Sequence, residues 1–385
     1  MDIKTIKTIE SATEKSLSSF AKLSFSLLFL LAVFLWTYSS HGKVPDNTFL
    51  IIGAIFGAYM ALNIGANDVA NNVGPAVGAR ALTLTGAIII AAIFESAGAI
   101  IAGGDVVNTI KSGIINPNLI TDKNSFIWAM TAGLLAGAVW LNFATSIGAP
   151  VSTTHAIVGG VMGAGIASAG FSILNWGSLA EIASSWVISP LLGGIVAAGF
   201  LYFIKKQIVY KENMIEQAQK FVPILIAIMT WAFTTYLILK GLKQLVNISF
   251  LFASGISLLF AFVAYYITKK SIDKNLSNLS NDRSSVNKLF TPALKFGSSK
   301  LSAIFSFAHG ANDVSNAIGP LAAINDAIMH GGTSVKASVP FWIMVVGAIG
   351  IVIGLILYGP RLIKTVGSEI TELDQMRAFS VAMAT

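Results

Sequence analysis

One eleven-residue string occurs twice in this chain, and it constrains the fold more than any other feature. Gly65-Ala66-Asn67-Asp68-Val69-Ala70-Asn71-Asn72-Val73-Gly74-Pro75 returns as Gly310-Ala311-Asn312-Asp313-Val314-Ser315-Asn316-Ala317-Ile318-Gly319-Pro320, identical at eight of eleven positions. Such a match implies an internal duplication. Each copy is flanked by apolar sequence, and the chain as a whole is 55% hydrophobic with 11% charged residues over 385 positions, against about 25% charged in an average soluble domain. A polar string carrying a carboxylate therefore sits at membrane depth in each half. The Gly-Pro pairs predict that a helix stops there, leaving only about two turns per copy. Non-helical backbone in a membrane is tolerated only where protein or a water-filled cavity satisfies its polar groups.

The expected fold class is thus an all-α polytopic membrane protein with broken helices, of about 10–12 membrane segments. Apolar stretches are read near 20–38, 49–64, 84–103, 126–147, 155–170, 179–204, 221–239, 245–267, 299–311 and 338–358. A soluble enzyme is excluded by this composition. The absence of Cys excludes disulfides and thiolate chemistry, and four scattered His argue against a histidine metal cage. No nucleic-acid role is expected from the formal charge of +7, because the basic residues lie between the apolar stretches, where a membrane protein keeps its cytoplasmic Lys and Arg.

Those basic residues also orient the chain. The 268–300 segment carries Lys269, Lys270, Lys274, Arg283, Lys288, Lys295 and Lys300, and two clean spans separate it from Lys205, Lys206, Lys211 and Lys220. Both regions are expected in the cytoplasm, with the Lys-bearing N terminus on the same side and residues 41–48 outside. Four domains of organisation follow: residues 1–45 as an extra N-terminal helix, 46–204 as the first repeat, 205–298 as linking spans with a long basic loop, and 299–385 as the second repeat. Membrane repeats of this kind are commonly inverted, with the substrate at their interface.

Within a helical string Asn67 and Asn71 fall at i and i+4, and Asp68 and Asn71 at i and i+3, so oxygen-bearing side chains share one side. Hard cations such as Na⁺ favour that environment, and intramembrane carboxylates commonly mark ion paths or proton relays. A second constellation, Gly148-Ala149-Pro150-Val151-Ser152-Thr153-Thr154-His155, opens a Gly- and Ala-rich helix. Its hydroxyls and free amides form either an anion site or simply a capped helix start. Glu95 lies in mid-span and could carry a proton or bond a neighbouring helix. His155 reads as part of the helix start, whereas Arg80 and Arg361 read as residues that snorkel to the interface, although either could attract anions.

The paired strings, with APVSTTH between them, strongly resemble the inorganic phosphate transporter family of sodium- or proton-coupled phosphate symporters. The resemblance covers roughly residues 50–205 and 299–385. It implies an inverted-repeat core in the cell (inner) membrane, a homodimer, and no cofactor or enzymatic activity. By motif position it implies Na⁺ ligation by Asn67, Asp68, Asn312 and Asp313, and phosphate contacts from Ser152, Thr153, Thr154, Asn71, Ser315 and Asn316. Glu95 matches an acidic residue associated with transport. Two departures are apparent: the family's second VSTTH-like segment is not reached before Thr385, and the position matching Glu95 in the second half falls among apolar residues near Val346.

The resulting expectation is Na⁺-coupled symport of inorganic phosphate across the cytoplasmic membrane. The alternatives are proton-coupled or metal-phosphate symport and, more remotely, a passive anion channel or an intramembrane hydrolase built on Ser152, His155 and a buried Asp.

Overall fold

The structure, a computed structural model, describes residues 3–44, 47–105, 113–120, 122–241, 248–275, 281–330, 339–369 and 374–384. Among these residues the chain is almost entirely helical: α1 (Ile3–His41), α2 (Asn47–Asn67), α3 (Ala70–Gly78), α4 (Leu84–Ala102), α5 (Lys123–Ile147), α6 (Thr153–Ala169), α7 (Trp176–Ile204), α8 (Met214–Gly241), α9 (Phe250–Asn275), α10 (Arg283–His330), α11 (Phe341–Lys364) and α12 (Gln375–Ala384). Eight helical stretches within them are long and apolar enough to cross a membrane. The remainder include α6, 17 residues long, and α10, 48 residues long and carrying the second string.

Side-chain caps set several helix starts. Thr83 accepts from the Gly86 amide at 3.1 Å, Asp122 from Ser125 at 2.9 Å, Ser152 from His155 at 3.3 Å and Asn175 from Ser178 at 3.3 Å. Each satisfies an amide that a helix leaves unpaired in its first turn. Gly148 ends α5 at φ 78°, a left-handed conformation that costs glycine nothing. Beyond it, residues 113–120 are tied to the turn between α6 and α7, with the Asn116 amide donating to the Ile173 carbonyl and the Asn175 amide to that of Ile114.

The expected breaks occur in only one copy, and not at the prolines. The first string breaks at Asp68-Val69, between α2 and α3, while Pro75 lies inside α3. The second string runs unbroken through α10, with Gly319 and Pro320 helical. The physical reason is the glycine before each proline. The clash that pushes a pre-proline residue out of the helical region involves its Cβ as well as its amide, and glycine has no Cβ. What each proline still does is remove one amide donor. The carbonyls of Asn71 and Asn316, four residues earlier, lose their usual helical partner.

Helix α2 packs on α11, and α10 packs on α4, through glycines at backbone contact. A Cβ on Gly65 would stand 1.9 Å from the Ile351 carbonyl oxygen, and one on Gly354 would stand 1.8 Å from that of Leu62. The other crossing repeats this: Gly98 meets the Phe307 oxygen at 1.9 Å, and Gly310 meets the Glu95 oxygen at 2.2 Å. Each string-bearing helix therefore lies against the second helix of the other half. The contacts also correct the expected alignment. Glu95 is matched by Ile351, not by a residue near Val346, because 30 residues separate Gly65 from Glu95 whereas 41 separate Gly310 from Ile351.

The principal core is formed between α2, α4, α5, α6, α10 and α11, with Leu50, Met60, Ile64, Leu134, Leu141 and Ile351 fully buried. A second cluster joins the ends of α7 and α10 with α8, α9 and α12 around Phe290 and Phe379. Most of α7 exposes apolar side chains, among them Val187, Leu191 and Ile195. The 268–300 segment is mostly helix and not a loop, since α9 runs to Asn275 and α10 starts at Arg283; residues 276–280 lie outside the described residues. Helix α1 leans on α2 and α11, where Trp36 stacks near Trp342 with centroids 5.1 Å apart.

Candidate functional site

The break after Asn67 and the crossing of α10 on α4 bring the two copies of the string together around one imidazole. Asp68, from the break, and Asp313, in mid-α10, both approach His309 at its Nε2 edge, and Glu95 meets the Nδ1 edge. His309 Nε2 stands 2.6 Å from Asp313 Oδ2 and 3.7 Å from Asp68 Oδ2, while Nδ1 stands 2.8 Å from Glu95 Oε2. The contact of Nε2 with Asp313 is close but outside hydrogen-bonding angles, so Nε2 counts as an ion-pair partner and not as a satisfied donor or acceptor. Glu95 is fully buried on α4, and its other oxygen accepts from Asn72 Nδ2 at 2.8 Å.

A layer of hydroxyls and amides completes the cluster. Thr153 Oγ1, at the start of α6, donates to Asp68 Oδ2 at 2.9 Å, and Thr154 Oγ1 lies 3.5 Å from Asp313 Oδ1. Asn316 Nδ2 reaches Thr153 Oγ1 at 3.2 Å, Thr154 Oγ1 at 3.1 Å and Asp313 Oδ1 at 3.1 Å. Asn71 Nδ2 donates to Asp68 Oδ1 at 2.7 Å. The α6 start thus touches both duplicated carboxylates through side chains of its first turn.

Not every expected residue joins the cluster. Asn67 is buried and acts as a clamp, its amide donating to Thr145 Oγ1 at 2.9 Å and the Ala149 carbonyl at 3.0 Å while its oxygen accepts from the Val151 amide at 2.9 Å. It fastens the Ala149-Pro150-Val151 turn to the break. Ser152 caps α6, and Ser315 donates to the Asn312 carbonyl of its own helix. The Asn312 side chain is exposed. His155 is exposed and rests against Trp186, with ring centroids 3.9 Å apart, while Ser152 meets only the His155 backbone. Ser152 and His155 thus lack the side-chain contact that a hydrolase would require.

The sequence reading missed His309. It stands one residue before the second string, where the first copy has Ile64, so comparison of the two copies passes over it. Its i, i+4 spacing to Asp313 was the signal available. In the crossing of α2 on α11 the equivalent pair is Ile64 and Ile351, both fully buried. One crossing is therefore polar and its counterpart apolar.

The electrostatics follow from the inventory. Three carboxylates face one imidazole, and in a membrane interior unpaired charge is strongly disfavoured. Even with the imidazole protonated, three ionised carboxylates leave two negative charges unbalanced. Ligand atoms of Asp68, His309 and Asp313 lie within 4.8 Å of one another, close enough to hold a cation.

Comparison with known proteins identifies the family. A family model described as "Phosphate transporter family" matches residues 64–385. The chain is 51% identical to a "Putative phosphate permease" of Helicobacter pylori strain J99, over all of this chain and 72% of that one, and 38% identical to one of Thermococcus kodakarensis, over 87% and 81%. A solved structure described as "The sodium-dependent phosphate transporter" superposes with a TM-score of 0.76 at 34% identity, covering 88% of this chain and 82% of the other. Duplicated carboxylates meeting at a helix start in a multi-pass membrane protein, and a family match spanning both copies, lead to one conclusion: the chain belongs to the phosphate transporter family.

Proposed function

We propose that the chain carries inorganic phosphate across the cytoplasmic membrane in symport with Na⁺, cation and anion being bound at the adjoining subsites of one cluster. The observation that carries this reading is the continuous hydrogen-bond chain from Asp68 through Thr153 and Asn316 to Asp313. The residues that would hold the cation also orient the hydroxyls that would meet the anion. Phosphate brought beside two aspartates without a cation would face like charge at short range. With Na⁺ on Asp68, Asp313 and the neighbouring Asn oxygens, the anion meets a neutralised wall and the first turn of α6. Each ion then raises the affinity for the other, and the effect is reciprocal.

Asp68, Asp313 and Asn71 are the side chains best placed for Na⁺, and Thr153, Thr154 and Asn316 for phosphate. Asn67, Ser152 and Ser315 shape the break and the helix starts in this reading, and Glu95 acts through His309. Alternating access would move one repeat-derived bundle against the rest. The N terminus and the basic 268–300 segment face the cytoplasm, by the excess of Lys there, and the protein works as a homodimer, as its family resemblance implies. Because the chain lacks Cys, single-cysteine labelling from each side tests that orientation directly.

A specific contact favours a second reading. His309 brings nitrogen, a poor Na⁺ ligand, within reach of both aspartates and Glu95. A proton or a divalent metal accompanying phosphate would suit that set better. Uptake of ³²P-phosphate into proteoliposomes separates the two. Driven by an inward Na⁺ gradient, and not by K⁺ or a pH gradient alone, it supports the first reading. Asp68→Asn and Asp313→Asn should each weaken Na⁺ activation and phosphate binding together. Unchanged Na⁺ activation in both variants would overturn the assignment.

A further inference from the structure

Away from the central cluster, a cavity of about 380 Å³ opens between α1 and the faces of α2, α5 and α11. Lys22 and Arg361 line it, together with Ser26, Asn63, Asn142 and Tyr358, and no carboxylate does so among the described residues. Lys22 is half-buried, with Nζ 6.0 Å from the centre of the Tyr358 ring, and Ser26 Oγ lies 3.1 Å from Tyr358 Oη. Arg361 donates from Nη1 to the Ser146 carbonyl at 2.8 Å and rests against Gly148, which leaves the rest of the guanidinium's fork of donors for another partner. Two cations, two amides and several hydroxyls line a space that no carboxylate of the described residues enters. We propose that this cavity binds a phosphate group carrying net negative charge, supplied by an anionic phospholipid wedged between α1 and the core.

The depth of the cavity argues for the lipid as the source. The tryptophan contact of α1 with α11 lies at Trp36, 14 residues from Lys22, or about 21 Å along a helix of 1.5 Å rise. With Trp36 near one interface, Lys22 lies roughly 9 Å inside the opposite edge of a hydrocarbon layer about 30 Å thick. From that depth a lysine side chain snorkels toward the headgroup phosphates. Leu23, Leu27 and Leu30 continue the cavity wall along one face of α1 away from Lys22, toward the bilayer centre, and Leu23 and Leu27 are more than half exposed. Cations reaching toward the headgroups above an apolar wall form a site for an amphiphile. Free inorganic phosphate shares the recognition chemistry but has no use for the leucines. The floor of the cavity includes Thr145, which accepts from the Asn67 clamp, so an occupant would steady the turn that carries the break.

The test uses the full chain purified in a neutral detergent, with wild type compared to Lys22→Gln and to Lys22→Gln/Arg361→Gln. Native mass spectrometry counts bound phosphatidylglycerol against phosphatidylcholine, and equilibrium binding of ³²P-phosphate counts phosphate equivalents with and without Na⁺. Wild type should retain one phosphatidylglycerol per chain in preference to phosphatidylcholine, with the preference falling about fivefold for each cation removed. If the lipid preference is absent but the double variant loses one phosphate equivalent that does not depend on Na⁺, the phosphate group is still what the cavity reads and its source is the free ion. A double variant matching wild type in both measurements would overturn the proposal. Lys22→Gln guards against a folding artefact, since among the described residues Lys22 Nζ faces only the Tyr358 ring, at 6.0 Å, whereas Arg361 hydrogen-bonds the core. Neither outcome depends on whether transport is driven by Na⁺.

Discussion

Gly310→Ala tests whether the α4–α10 crossing holds the Glu95–His309 pair in place. The new Cβ would stand 2.2 Å from the Glu95 carbonyl oxygen and 2.7 Å from its Cα, both backbone atoms that no rotamer change can move. Ordinary contact begins at 3.4 Å, so the helices must part by about 1.2 Å locally. His309, the preceding residue, moves with α10. Its 2.8 Å approach to Glu95 then opens to roughly 4 Å, beyond hydrogen-bonding range. Overpacking should cost about 1–3 kcal/mol in stability. Loss of a hydrogen bond to a charged group, about 1.5–3 kcal/mol, would lower uptake by roughly tenfold to a hundredfold if the pair acts in the transport cycle. The assay is initial ³²P-phosphate uptake in proteoliposomes beside thermal unfolding of the same preparation. Gly159→Ala is the control, because no atom lies within 4 Å of the Cβ it would gain. A folded Gly310→Ala protein with wild-type uptake would refute the link between this crossing and the site.

Two further predictions concern single carboxylates. Glu95→Gln keeps the size of the side chain and its bond from Asn72 but removes the charge beside His309; uptake should fall by more than about tenfold, on the same hydrogen-bond energy, while Na⁺-dependent phosphate binding is retained, and equal loss of both would move Glu95 into the binding step. Asp122, outside the spans, has its carboxyl held below the usual aspartate range by the Ser125 backbone amide first and the Ser125 hydroxyl second. A lowered folded-state value means that its cap stabilises α5 fully at neutral pH and is lost as pH falls through that value. Asp122→Asn, which caps without ionising, should therefore show an unfolding temperature that drops less than wild type between pH 6 and pH 3, as read by a thermal melt at each pH; parallel curves would count against the cap.

The long apolar runs were legible because lipid demands them whatever the packing: the stretch read as 49–64 is α2, 126–147 is α5 and 338–358 is α11, each within a few residues. Duplication likewise singled out Asp68 and Asp313, which the structure brings beside one imidazole. What escaped the reading depended on contacts between the halves. His309 is the one histidine in a largely apolar run, and only the crossing with α4 shows that it faces Glu95. Pairing Glu95 with Ile351 required the glycine contacts, since the second connection is longer. The continuity of α10 through Pro320 turned on a missing Cβ before the proline, a local matter that composition does not convey. Asn67 has the type and spacing of a cation ligand, yet packing of the α5–α6 turn engages three of its hydrogen-bonding positions.

The mismatch between the two helix crossings bears on the energetics of the cycle. In a protein built from inverted repeats, opening to one side amounts to each repeat taking the shape the other had when the opening faced the opposite way. Perfectly matched repeats would make the two shapes mirror images in free energy, and an empty carrier would spend equal time in each. A carboxylate–imidazole contact at one crossing and an Ile64–Ile351 contact at the other remove that degeneracy. In the symport proposed above, the empty carrier would have a preferred facing direction, written into four side chains, and substrate binding would work with it or against it on every turnover. The fraction of a single cysteine at position 312, a helical and exposed position beside the second string, labelled from each side and compared between wild type and Glu95→Gln, reads that bias; identical fractions would mean the asymmetry has no energetic weight.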